Sequence, residues 1–171
     1  MRRIMKKSKT FILLIFSSII FGQGPSVAER YGDRIELLGI PFKDPLVLCQ
    51  ILIAIFISIA FIQSGIDKIL DRKGNLEFFK IHFANSFLKN FTPFLLTTLT
   101  IFELVGGFTL LYGIYFAFVH RTTLWIFYGF VMIALTIIFL FAGQRIVKDY
   151  LGAADLVPYF ILIMLGIMSM Y

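Results

Sequence analysis

Apolar residues run almost unbroken through residues 45–66, 93–119, 122–143 and 156–171. None of the four runs leaves the polar face that a water-exposed helix shows at a period of 3.6, and none alternates like a half-buried strand. Segments that are apolar all round belong in lipid, where only helices or closed barrels satisfy every backbone N–H and C=O. A barrel would show alternating stretches of ~10 residues, so the Ile and Val content does not argue for strands here. Crossing ~30 Å of hydrocarbon takes ~20 helical residues. The first three runs reach that length. The fourth has only 16 residues and is expected to be completed by the loop before it. The pattern predicts an all-α, antiparallel four-helix membrane bundle over residues 45–171.

Two further segments extend this picture. Residues 1–22 join a basic stretch (Arg2, Arg3, Lys6, Lys7, Lys9) to a short apolar run over residues 11–22. As a helix that run covers only ~18 Å, so it reads equally as a signal-like segment or as an anchor helix. Residues 23–44 form a polar connector, expected to be irregular with one amphipathic turn near residues 35–38. Between the first two long runs, the 67–91 loop mixes Leu76, Phe78, Phe79, Ile81, Phe83, Phe87, Leu88 and Phe91 with Lys80, His82, Asn85 and Lys89. That mixture predicts an interfacial helix, apolar side down, between helices 1 and 2.

Composition narrows the class. The 171 residues are 59% hydrophobic and 15% charged, with 21 Phe and a mean hydropathy of +0.90. A soluble domain of this size could not hide so much apolar surface, and disorder is excluded by the same figures. The net charge of +6 reads as membrane orientation rather than nucleic-acid binding, because the basic residues fall in a few short loops. Lys68, Arg72, Lys73, Lys80 and Lys89 lie in the 67–91 loop, and Arg145 and Lys148 in the 144–155 loop. Placing both loops with the basic N-terminus in the cytoplasm puts twelve positive residues inside and four (Arg30, Arg34, Lys43, Arg121) outside. The expected location is the inner membrane, with the connector and the C-terminus on the periplasmic side. Cys49 is the single cysteine. It excludes an internal disulfide, a CxxC pair and an iron–sulfur cluster, and reads as an inert apolar filler. The two histidines add no zinc-like spacing, so no metal site is expected.

Several motifs resemble the DoxX family. They are Gln63-Ser64-Gly65-Ile66-Asp67-Lys68, the Lys73-Gly74-Asn75 turn and Phe102-Glu103-Leu104-Val105-Gly106-Gly107. The stretches Gly143-Gln144-Arg145-Ile146-Val147-Lys148-Asp149-Tyr150 and Ala153-Ala154-Asp155-Leu156-Val157-Pro158-Tyr159 are similar to its Bacteroidetes-type branch. The resemblance covers residues 45–171 and implies a four-helix membrane bundle. It implies function less sharply. Family members include a small subunit of a thiosulfate:quinone oxidoreductase and proteins tied to oxidant defence, and most have no assigned activity.

The sharpest chemical feature is Glu103, about ten residues into the second run. An ionised carboxylate at mid-membrane costs ~2.5–3.5 kcal/mol even on an insertion scale, so Glu103 should face the bundle interior. Gly106 and Gly107 follow on the same helix face and let a neighbour approach; Gly113 extends that groove. Glu103 reads either as a proton or quinone-headgroup site or as a hydrogen-bonded tie between helices. Lys68 is the leading cationic partner and shares a face with Ser64. It sits ~15 Å shallower than Glu103 by helix rise, so a direct contact needs a tilted helix or a long loop, and snorkelling to the headgroups is the alternative. Gln50 and Gln63 are other amide partners. Candidate catalytic residues are therefore Glu103 and Lys68. Candidate cofactor-binding residues are Glu103, Gln63, Gly106, Gly107 and His120. His82 and His120 fall on opposite membrane faces, against a bis-His haem within this chain. Arg145, Lys148 and Asp149, with Arg72 and Lys73, read as positive-inside anchoring or as an anionic-headgroup site. Asp155 reads as an N-cap with Pro158 in the first turn. Trp125, Tyr128, Tyr112 and Tyr115 read as an aromatic belt.

The expected function is an accessory subunit of a quinone-linked redox or respiratory complex; the alternatives are, first, a non-catalytic scaffold or assembly subunit and, second, a small transporter or proton path. No redox centre is intrinsic to the chain, so the redox reading needs a bound quinone or a partner subunit. It predicts a lipid-facing cleft near Glu103. The scaffold reading predicts a closed Glu103 network, and the transport reading a water-filled cavity reaching Glu103. The expected partners are the bilayer and other membrane subunits, not nucleic acid.

Overall fold

The computed structural model describes residues 45–171 in full and, ahead of them, the backbone of residues 35–37 and 40–42. The expected signal-like or anchor segment at 1–22 lies outside the described residues. The chain divides into two compact units, residues 1–45 and 46–171. In the first, β1 (Ile35–Leu37) pairs antiparallel with β2 (Ile40–Phe42), Ile35 opposite Phe42 and Leu37 opposite Ile40. Residues 35–37, where an amphipathic turn is expected in an otherwise irregular connector, are therefore a strand. The Ile-Glu-Leu and Ile-Pro-Phe triplets alternate at a period of two, and only Leu38 and Gly39 separate them.

All regular structure described in the second unit is helical. The elements are α1 (Pro45–Leu70), α2 (Arg72–His82), a 3-10 turn (Phe87–Phe91), α3 (Thr92–His120), α4 (Leu124–Ile146) and α5 (Tyr150–Met168). Four of these helices (α1, α3 with the preceding turn, α4 and α5) are long and apolar enough to cross a membrane. Even α5, the shortest at 19 residues, spans about 29 Å at ~1.5 Å per residue.

Helix starts follow local polar chemistry. Asp71 caps α2 by accepting from Gly74 N–H at 3.1 Å. Pro93 occupies the first turn of α3, where its missing N–H leaves no gap in the ladder. The start of α5 corrects the sequence reading. Asp149, not Asp155, is the N-cap, its Oδ1 accepting from Gly152 N–H at 2.9 Å. Asp155 is exposed within the helix and Pro158 lies in its interior. The cap moves because Lys148, at φ 63°, turns the chain sharply just after α4. That early start takes residues 150–155 of the expected loop into the helix and gives α5 its spanning length.

Packing is set by small residues. A Cβ on Gly107 would come within 2.6 Å of Ile62 in α1, and one on Gly106 within 2.5 Å of Ile133 in α4. At Gly113 the obstruction is backbone: the added atom would lie 2.6 Å from Ile126 N. Gly129 sits against Leu110, and Gly166 against Phe130. These approaches join α1 to α3, α3 to α4 and α4 to α5. Phe56 and Phe61 contact the ring of Tyr159, and Gln50 Nε2 donates to Ser169 O at 2.8 Å, joining α1 to α5. Ile57, Leu96, Leu110, Ile126, Phe130, Ile133 and Ile163 are fully buried between the helices. Buried Ser58, Thr92, Thr100 and Thr136 donate back to carbonyls three or four residues earlier on their own chain stretch, so their hydroxyls are satisfied without a partner helix. Cys49 is exposed on α1 and does not fill the core.

Candidate functional site

Glu103 is turned inward, with its side chain 2% exposed. Lys68 Nζ lies 2.9 Å from its Oε2 and donates to its Oε1 at 3.1 Å. Ser64 Oγ donates to the same Oε1 at 3.3 Å and is itself 2.6 Å from Lys68 Nζ, which also reaches Ser64 O at 3.3 Å. Oε2 accepts no well-aligned hydrogen bond and is held by the ammonium charge alone. The three groups form a closed triangle between the last turns of α1 and the second quarter of α3.

The register explains how Lys68 reaches a residue that sequence depth put ~15 Å away. Gly65 packs against Leu104, and Ile62 against Gly107. Antiparallel helices in that register hold Glu103 level with Ile66, flanked by Ser64 and Lys68 on successive turns. The offset is absorbed by α2 and the 3-10 turn, which carry the chain away before α3 begins. Arg72 fastens this connection, donating to Thr97 Oγ1 at 2.6 Å.

The remaining candidates do not join this group. Gln63 is exposed and lines a shallow apolar hollow with Ile59, Ile62 and Leu111. Gln50, the other proposed amide partner, is committed to the C-terminal end of α5 through Ser169. Gly106 and Gly107 are filled by Ile133 and Ile62, so the groove they open is occupied by packing rather than left for a ligand. His120 is exposed at the far end of α3 and stacks on Phe116 at 4.1 Å. It lies seventeen positions from Glu103, about 25 Å along the helix. Tyr112, Trp125 and Tyr128 do gather there, ring to ring at 5.2 and 6.0 Å.

A second polar group was not evident from sequence. His82, at the end of α2, pairs its Nε2 with Gln144 Oε1 at 2.7 Å and lies 3.7 Å from Asp149 Oδ2. Phe78 stacks on the imidazole, and Phe83 meets it edge-on. The signal was weak but present: both His82 and Gln144 lie in loops that charge assigned to the same side. Arg145 places its guanidinium 4.6 Å over the Tyr150 ring. Among the described residues no cluster of three or more His, Cys, Asp or Glu is arranged to hold a metal.

The class these features define is a helical protein with four membrane-crossing lengths and a buried ion pair between two of them. Comparison with protein-family profiles, curated proteins and solved structures yields no match.

Proposed function

We propose that the chain is a non-catalytic scaffold or assembly subunit of an inner-membrane complex, built as a DoxX-like antiparallel four-helix bundle and clamped internally by Lys68 and Glu103. In this reading α2 lies in the cytoplasmic interface. It has no buried residues, and its Phe78 and Ile81 side chains are turned outward, as suits an interfacial helix. The basic loops face the cytoplasm and the C-terminus faces the periplasm.

One observation supports the clamp over a reaction centre at Glu103: its carboxylate is closed in by Lys68, Ser64 and packed helices. A quinone head reacting there needs a lipid-facing cleft, and a proton path needs a wet cavity. The cavities beside α1, α2 and the middle of α3 are lined by other side chains. A buried ion pair between neighbouring spans fixes their register and depth, because any slip leaves a charge unpaired in an apolar interior.

The test compares Lys68→Met with Lys68→Met/Glu103→Met in native membranes, reading both the abundance of the chain and the turnover of the complex that copurifies with it. The clamp reading expects the single substitution to lower abundance and the double one to restore abundance and turnover together. Restored abundance with turnover still depressed would overturn it in favour of a chemical role for the pair.

A further inference from the structure

An apolar cavity of about 370 Å³ lies under α2, between that helix and the first half of α3 and last half of α4. This volume lies at the small end of the range for ligand sites, ~300–1,000 Å³. Its walls are aromatic, with Phe79, Phe83, Phe94, Phe102 and Phe139 among them, and its polar end is His82 with Gln144. We propose that this cavity binds an uncharged amphiphile whose head carries a carbonyl or hydroxyl group, the head meeting His82 and Gln144 and the tail lying among the Phe rings.

The chemistry of the polar end selects that head. His82 Nε2 and Gln144 Oε1 are 2.7 Å apart, so the imidazole donates there and its neutral form leaves Nδ1 as an acceptor. The Gln144 amide nitrogen supplies a donor. A carbonyl head accepts from the Gln144 amide, and a hydroxyl head also donates to Nδ1; a hydrocarbon chain alone would leave both groups unused. A phosphate head is mismatched. The Asp149 carboxylate stands 3.7 Å from His82, and the Arg145 guanidinium is engaged with Tyr150. The cavity also has the right setting for a ligand arriving from lipid. Its roof is α2, a helix whose residues are nowhere buried and which is tied to α3 at its start by the Arg72–Thr97 bond. Flat rings suit the lining, since Phe side chains pack on a ring face by stacking or edge contact. The proposal does not involve Glu103 and goes beyond the clamp reading.

The carbonyl or hydroxyl head could come from a ring-headed lipid or from a glycerolipid, so the experiment has two arms. Full-length protein in dodecyl maltoside is titrated with decyl-benzoquinone or with dioctanoylglycerol, and retention is followed by native mass spectrometry. Dioctanoyl phosphatidylglycerol serves as the charged comparison. The expected result is saturable retention of at least one neutral probe. Retention weakens about tenfold in Gln144→Leu, the loss of one hydrogen bond, and in His82→Leu, which removes the partner that orients the Gln144 amide, and is unchanged in His120→Leu and Glu103→Gln. Preference for the quinone assigns a ring-headed ligand, and preference for the glyceride assigns an acyl one. Leu95→Trp, which fills the cavity from α3 and leaves the polar end intact, is expected to abolish retention. Equal retention of neutral probes by wild type, His82→Leu and Leu95→Trp would overturn the proposal, as would tighter retention of the phosphatidylglycerol. Far-UV circular dichroism on each variant separates loss of the site from loss of fold.

Discussion

Replacing Lys68 with Met removes the cation and keeps most of the apolar volume of its stem. The ammonium lies 2.9 and 3.1 Å from the two Glu103 oxygens. At an effective dielectric constant of ~20, their attraction is about 6 kcal/mol. Most of that offsets the desolvation of a carboxylate that is 2% exposed, so the net worth of the pair is small. Removing one partner is different: the desolvation of Glu103 remains while its compensation goes, and the expected loss is ~3–5 kcal/mol. Glu103→Gln should cost less, ~1–2 kcal/mol. The amide can still accept from Ser64, and the stranded Lys68, at 13% exposure, keeps its contacts to Ser64 Oγ and O. Lys68→Met/Glu103→Met replaces both charges with apolar groups and should fall within ~1 kcal/mol of wild type or exceed it. The assay is reversible unfolding in mixed dodecyl maltoside and dodecyl sulfate micelles, followed by far-UV circular dichroism. A coupling energy of ~3 kcal/mol from the double-mutant cycle, closed by the single Glu103→Met, supports the clamp. Single substitutions within ~0.5 kcal/mol of wild type, or strict additivity, would refute the reasoning.

Asp149→Ala should destabilise the protein by ~1 kcal/mol through loss of the α5 cap, and Asp155→Ala by less than ~0.5 kcal/mol, measured in the same micelles; the reverse order would restore Asp155 as the cap. Gly113→Ala should cost ~2 kcal/mol or more because the new methyl meets backbone at Ile126. Gly143→Ala, whose methyl would sit 3.5 Å from Phe83, should be neutral or stabilising, as Ala favours helix. In a Cys49→Ala background, Lys148→Cys should react with a membrane-impermeant maleimide only from the cytoplasmic side and His120→Cys only from the periplasmic side; the opposite pattern would invert the proposed topology.

What was legible in the chain follows from the solvent. Residues with no polar face over twenty or so positions leave the backbone no partner but itself, so the four spanning lengths could be read without a structure. The inward turn of Glu103 was legible for the same reason, since an exposed carboxylate in hydrocarbon is too costly. Boundaries were less so. Asp149 and Asp155 are both plausible caps by residue type, and only the left-handed turn at Lys148 decides between them.

Pairing across helices belongs to the tertiary structure. Apolar hydropathy says that a helix is buried in lipid or protein but not which neighbour it meets. The sequence by itself determined four apolar spans, a basic-loop asymmetry and an acid that had to turn inward. The register that seats Lys68 and Ser64 beside Glu103, and the fold of α2 that brings His82 to Gln144 over an aromatic cavity, came only with the tertiary structure. Those contacts join residues 35 and 62 positions apart, and such distances are closed by helix packing and connection length, neither of which is written in local periodicity.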